Sequence, residues 1–165
     1  MFGLVGTSVE LSEQGIVSAK IENGNIIVTS ISTGSMMLKL KDNTKTAGIH
    51  LKVDELGNIT TVNTYPYTGN NRPPILVKAH EPLSTIASKS VSSKVAPYFV
   101  DLENDELVFV IQNGVYYGSL LLYTKGEFTY TPNEKPYAQN DNFIIRAYDP
   151  SGGYGDIKVD IIITQ

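Results

Sequence analysis

A period of two runs through most of this chain. In GSMMLKLKD, Met36, Leu38 and Leu40 alternate with Met37, Lys39 and Lys41. In GIHLKVDELG, Ile49, Leu51 and Val53 alternate with His50, Lys52 and Asp54, and DIKVDIIIT sets Ile157, Val159, Ile161 and Ile163 opposite Lys158 and Asp160. Successive side chains of a strand point to opposite faces, so this alternation suits sheets with one face on a core and one in water. Turn signals separate the runs: ENGN (22–25), STGS (32–35), KDNT (41–44), ELGN (55–58), TKGE (124–127) and PSGGYG (150–155). Short strands punctuated in this way predict sandwiches. No stretch has a convincing amphipathic helical period; in PLSTIASKSV (82–91) the Ser, Thr and Val content favours extended or irregular chain. The expected fold is all-β.

One stretch breaks the alternation. TYPYTGNNRPPI (64–75) carries three prolines, and proline supplies no ladder donor, so the stretch predicts a short stiff linker and not an interior strand. The expected organisation is a small β-sandwich over 1–65, a linker over 66–75 and a second sandwich over 76–165. The first unit is near the lower size limit for a self-sufficient core, so it is expected to lean on a neighbour.

Charge and composition exclude several functions. Lys and Arg number 13 against 17 Asp and Glu, a net charge of −4, with no basic block and no aromatics interleaved with cations, which argues against nucleic-acid binding. The absence of Cys removes disulfides, thiolate metal sites and Cys nucleophiles. No apolar run approaches the ~20 residues of a membrane span. MFGLVGTSVELSEQG has neither a basic region nor a long apolar core, so it does not read as a signal peptide; whether the chain is a whole protein or an excised piece stays open.

The second unit carries an ordered set of landmarks: NRPP (71–74), DLENDELVF (101–109), GSLLLYTKGEFTYTPN (118–133), DNFIIRAYDPSGGYGD (141–156) and a closing strand KVDIIIT. Together they resemble the bacterial cadherin-like or Ig-like tandem module of large surface proteins. The first unit resembles small bacterial Ig-like domains in texture only. The residues also have a direct reading. Phe128 and Tyr130 share a strand face and offer rings to an inter-sheet core, Pro132 and Asn133 stop that strand, and Gly152 and Gly153 permit positive φ in a hairpin. Leu107, Phe109 and Ile111 form an inward face after the acidic DLENDE.

That acidic segment has two readings. Asp101, Glu103 and Asp105 alternate and would offer hard oxygens to calcium, which takes about six to eight. The resemblance implies Asp149 as a late-domain partner, with Asn70 and Asn71 of the linker as weaker contributors. The linker reads TGNN where the family's calcium linkers are Asp-rich. The alternative is a solvated, self-repelling turn whose charges blunt a strand edge. An acid–base catalytic pair is not expected, because four acids in a polar turn lack the environment that separates their pKa values. His50 and His80 have no partner at metal-ligand spacing, and both are expected to be exposed.

Ten tyrosines and no Trp leave rigid contact area with polar tips; Tyr116, Tyr117, Tyr137 and Tyr154 are the candidate partner-binding residues. The sequence thus predicts a non-enzymatic structural or interaction protein with no required cofactor, calcium being a candidate. Its expected setting is a virion surface, as a phage decoration, cement or fibre protein bound to a capsid, tail or other surface protein of the same assembly. The alternatives are an extracellular bacterial adhesin segment and a carbohydrate-binding module that meets host-surface glycan or protein.

Overall fold

The computed structural model describes residues 7–41, 45–68, 70–136 and 139–164. They form two compact units, Met1–Arg72 and Pro73–Gln165. Among the described residues the only helical element is a 3-10 turn, Ala96–Tyr98.

The first unit contains β1 (Ser8–Leu11), β2 (Val17–Glu22), β3 (Asn25–Ser30), β4 (Gly34–Lys41), β5 (Thr46–Val53) and β6 (Ile59–Thr68). An antiparallel sheet runs β1-β4-β5-β6, and β2 and β3 form a separate hairpin. Asn23 and Gly24, with φ of 49° and 75°, close that hairpin as the two-residue turn whose twist matches its strands. Ile16 and Val17 lead the hairpin onto Met36, Leu38, Leu51 and Val53 of the sheet, which gives a two-layer core with only two strands in its second layer.

Two expectations fail in this unit. Met37 and Lys39, read as the watery face of β4, are buried at 0% and 6% exposure. Alternation reports that a strand has two faces, and here both faces of β4 are covered. The strand β6 also extends to Thr68, into the stretch read as linker from residue 66. Proline is tolerated there because β6 ends its sheet and its register with β5 shifts between Thr46 and Gly48, a bulge in β6 that takes in Pro66.

The second unit contains β7 (Ile75–Leu76), β8 (Leu83–Ile86), β9 (Val91–Lys94), β10 (Phe99–Val100), β11 (Val108–Asn113), β12 (Gly118–Leu122), β13 (Glu127–Pro132), β14 (Asn140–Tyr148) and β15 (Tyr154–Thr164). One sheet runs β11-β14-β15-β8 and the other β12-β13-β9, with β10 and β7 as a small pair. The β8–β15 pairing is parallel. Phe128 and Tyr130 from one sheet meet Phe143, Ile145, Ile157, Val159, Ile161 and Ile163 from the other, so the period-two reading of β13 and β15 holds. Phe109 points inward as expected, whereas Ile111 is 42% exposed. The register with β14 shifts between Ile111 and Asn113, and that bulge ends the inward series.

Only Gly152 of the predicted glycine pair has positive φ, at 87°. Gly153 is required for space: a Cβ there would run into the Asp149 carboxylate and the Pro73 backbone.

Candidate functional site

DLENDE is a turn built around Asp101. Its Oδ1 accepts the backbone N–H of Glu103 at 2.9 Å and of Asp105 at 3.0 Å, and Asn104 N–H returns to the Asp101 carbonyl. Asn104 takes the left-handed φ of 65° this path needs, a conformation that asparagine tolerates better than most residues. Leu102, 1% exposed, is the apolar anchor beneath the turn.

The same construction occurs twice more. Asp149 Oδ1 accepts from Ser151 N–H and Gly153 N–H at 2.7 and 2.9 Å, with Gly152 left-handed. Asp54 Oδ1 accepts from Leu56 N–H and Asn58 N–H, each at 2.9 Å, with Gly57 left-handed at φ 81°. The shared pattern is Asp-x-x-[Gly/Asn]-x, in which one carboxylate oxygen satisfies two turn amides that no strand can. The sequence carries this signal at DELGN, DLEND and DPSGG.

Asp101 and Asp149 do lie at one end of the second unit. Val100 pairs with Ile75, which sets Asp101 beside Pro74, and the Asp149 turn rests against Pro73 through Gly153. The structure does not gather these acids into a cation cage: among the described residues, no three His, Asp or Glu side chains stand where they could share a metal ion. Glu103 and Asp105 are half-buried on the turn, while Asn70 and Asn71 are exposed at the end of the first unit, where Asn71 Nδ2 donates to the Arg72 carbonyl at 3.5 Å.

Burial pushes the Asp101 carboxyl above its ordinary value of 3.8, and the neighbouring Asp105 and Glu103 charges act in the same direction, against the two backbone N–H groups. A carboxyl raised in the folded state contributes stability that is present below 3.8 and lost as pH rises through its folded value. Asn at this position keeps the Oδ1 acceptor and removes the disfavoured charge. Asp101→Asn should therefore match or exceed wild type at about pH 7, by up to about 1 kcal/mol, with the advantage fading in acid. Urea midpoints at the two pH values measure this, and melting in chelator and in calcium should coincide. A variant distinctly less stable at neutral pH would overturn this expectation, and a calcium-induced rise that the variant loses would establish the ion site.

The more elaborate polar site was not singled out by the sequence. Asp141, 3% exposed, accepts four hydrogen bonds: Oδ1 from Tyr116 N–H (3.1 Å) and Asn142 N–H (2.8 Å), Oδ2 from Tyr117 N–H (2.8 Å) and the Tyr130 hydroxyl (2.9 Å). Burial first, then the hydrogen bond and charge of Asp141, push the Tyr130 phenol far above its ordinary 10.0. This carboxylate fixes the backbone of the β11–β12 loop. On that fixed loop Tyr116 stands 79% exposed, while Tyr117 is packed partly against the core.

Tyr154 is 51% exposed but belongs to a surface stack. The Arg146 guanidinium lies 3.8 Å from its ring centroid and 5.9 Å from that of Tyr148, and makes a bidentate pair with Asp156 at 2.7 and 2.8 Å. Arg146 holds the Asp156 carboxyl below its ordinary range. Tyr137 lies outside the described residues.

His80 departs from expectation. It is 7% exposed, with Nδ1 2.6 Å from the Glu81 carbonyl, Nε2 3.0 Å from Ser93 Oγ, and its ring stacked on Tyr98 at 4.8 Å. Donation from Nδ1 to the carbonyl leaves Nε2 to accept from the serine. Inside a packed core with Phe128 alongside, this pair serves the scaffold.

Two antiparallel layers around an aromatic core, with the last strand parallel to β8, define an Ig-like, cadherin-like β-sandwich, an architecture shared by many cell-surface domains. The chain belongs to the bacterial Ig domain family, whose model matches residues 70–162. Among solved structures it is similar to chicken VE-cadherin EC1-2, with a TM-score of 0.45 and 15% identity over 97% of this chain and 85% of that one. Drosophila N-cadherin EC1-4 gives a TM-score of 0.46 and 10% identity, covering 96% and 42%. A glycoside hydrolase family 107 endo-fucoidan hydrolase (the H294Q form) gives 0.44 and 14% identity over 97% of this chain, which spans 24% of that protein's length. A search of curated proteins finds no significant match. Among the described residues, no helix is long and apolar enough to cross a membrane.

Proposed function

We propose that this chain is a non-catalytic interaction module working on the outside of a particle or cell, its contact point the loop that carries Tyr116. The observation that supports this reading is the anchoring of that loop: two consecutive amides are held by a buried carboxylate while the Tyr116 ring is left in solvent. A rigidly mounted exposed tyrosine offers contact area at small entropic cost, as binding surfaces require. The buried polar groups Asp141, Asp149 and His80 accept from, or are held by, their own scaffold, which favours a structural role for them over acid–base work.

The reading extends to two settings: a decoration, cement or fibre protein bound to a capsid, tail or other surface protein of a phage virion, and a segment of a bacterial surface adhesin. Quantitative mass spectrometry of purified phage particles and of washed cell envelopes separates them, and absence from both would sink the proposal. The Tyr116 contact has its own test. Tyr116→Ala should weaken binding to the particle or envelope fraction by roughly tenfold or more, the scale of an aromatic anchor, without moving the melting temperature. Binding unchanged by the substitution would remove the loop from the interface. Glycan-array binding lost in the same variant would identify the partner as carbohydrate.

A further inference from the structure

Two Asn-Gly pairs occur in this sequence, Asn23-Gly24 and Asn113-Gly114, and the fold treats them differently. Both are exposed to solvent. The side-chain amide of an asparagine is open to attack by the backbone nitrogen of the next residue, and a glycine there leaves that nitrogen unshielded and its φ free. Asn23-Gly24 is the two-residue turn of the β2–β3 hairpin, clamped by the Glu22–Asn25 pair, with both residues left-handed at φ 49° and 75°. Asn25 Nδ2 also donates to the Asn23 carbonyl at 3.4 Å. Rotating Asn23 toward its own side chain therefore opens the end of a ladder first.

Asn113-Gly114 has no such clamp. Asn113 ends β11 directly after the bulge between Ile111 and Asn113. Gly114 belongs to no strand, its N–H donates to none of the described loop and turn carbonyls, and its φ is not left-handed. A Cβ built on it would meet nothing within 4 Å. The next fixed points are the Tyr116 and Tyr117 amides, held by the Asp141 carboxylate. A change of ψ at Asn113 is absorbed by Gly114 and Val115, which lie between these two anchors.

We propose that Asn113-Gly114 is a site of spontaneous self-modification, which converts the start of the Tyr116 loop to aspartate and isoaspartate as the protein ages. The Gly114 nitrogen gives its proton to solvent base and bonds to Asn113 Cγ. The Cγ–Nδ2 bond breaks, ammonia leaves with a proton from solvent, and a five-membered succinimide remains. Water then adds to one ring carbonyl and breaks that carbonyl's bond to the Gly114 nitrogen. Opening at Cγ gives aspartate with the ordinary backbone. Opening at the main-chain carbonyl gives isoaspartate, whose backbone runs through the side chain and is one methylene longer. Water is the only co-reactant. Either product adds one negative charge to a chain of net charge −4, at an exposed position shortly before Tyr116. The inference does not depend on the Tyr116 reading.

The full chain is incubated at mildly alkaline pH, folded and in concentrated urea, and followed by peptide mapping with mass spectrometry, isoaspartate being scored by enzymatic methylation. In the folded protein Asn113 should convert at least about tenfold faster than Asn23, and in urea the two rates should converge. Gly114→Ala shields the attacking nitrogen and should slow Asn113 at least about tenfold. Its melting temperature should be no lower than that of wild type, because the new Cβ has open space and no left-handed φ to strain. Equal rates at the two pairs in the folded chain overturn the proposal, as does faster conversion at Asn23. So does an Asn113 that stays intact in the folded protein while the urea-unfolded chain converts, or a conversion that Gly114→Ala leaves unchanged.

Discussion

Asp141→Ala should cost the second unit about 3–5 kcal/mol, the scale for stripping the partner from a buried, multiply bonded charge site. The carboxylate accepts from three backbone N–H groups and one phenol, and alanine leaves all four facing a pocket with no acceptor. The Tyr130 hydroxyl is the worst placed, since its residue is 0% exposed. Two controls divide the loss. Tyr130→Phe removes one donor together with its need for a partner and should cost about 1 kcal/mol, while Asp141→Asn keeps an acceptor and should fall between. Denaturant midpoints followed by circular dichroism measure all three. If Asp141→Ala costs no more than Tyr130→Phe, the two tyrosine amides are satisfied elsewhere and the carboxylate does not hold the loop.

The distribution of what was legible in the sequence follows from which interactions are periodic. Strands β13 and β15 bury alternate residues against one core, so Phe128, Tyr130 and the isoleucine series could be assigned from spacing alone. The Asn23-Gly24 turn was equally plain, because few residue pairs accept its backbone. Alternation becomes uninformative where both faces are covered: Lys39 in β4 follows the pattern of a solvent face and is buried. Polar groups that close the fold over long sequence distances leave no period. Asp141 reaches back 24 and 25 residues to the tyrosine amides, and nothing within DNFIIRAY distinguishes it from a surface acid at a strand start. His80 is hidden for the same reason, its serine lying 13 residues away.

DLENDE was legible as a turn before a strand, but not in how the turn is built. Asp101, Asp149 and Asp54 act as backbone acceptors, each at the head of a turn whose fourth residue is Gly or Asn. Position of the left-handed residue, three after the aspartate, was therefore more informative than the number of acids, because it specifies where the amides of the turn will point.

Phe128→Ala should produce the other large loss, again about 3–5 kcal/mol. Phe128 is 1% exposed and occupies the centre of the inter-sheet space, its ring edge-on to Phe143 at 5.1 Å and tilted against His80 at 5.9 Å. Alanine removes the transfer energy of the ring and leaves a cavity between strands that are locked by their own ladders, so neither sheet can collapse to fill it. The edge-to-face contact with Phe143 adds about 0.5–1.5 kcal/mol to what burial alone predicts. Phe128→Leu retains most of the volume and should lose only about 1–1.5 kcal/mol, and it stays measurable if the alanine variant fails to fold. The same urea titrations serve, followed by circular dichroism as before. An alanine variant within about 1 kcal/mol of wild type would mean that the two sheets can close over the gap, and that the aromatic centre is not what sets their spacing.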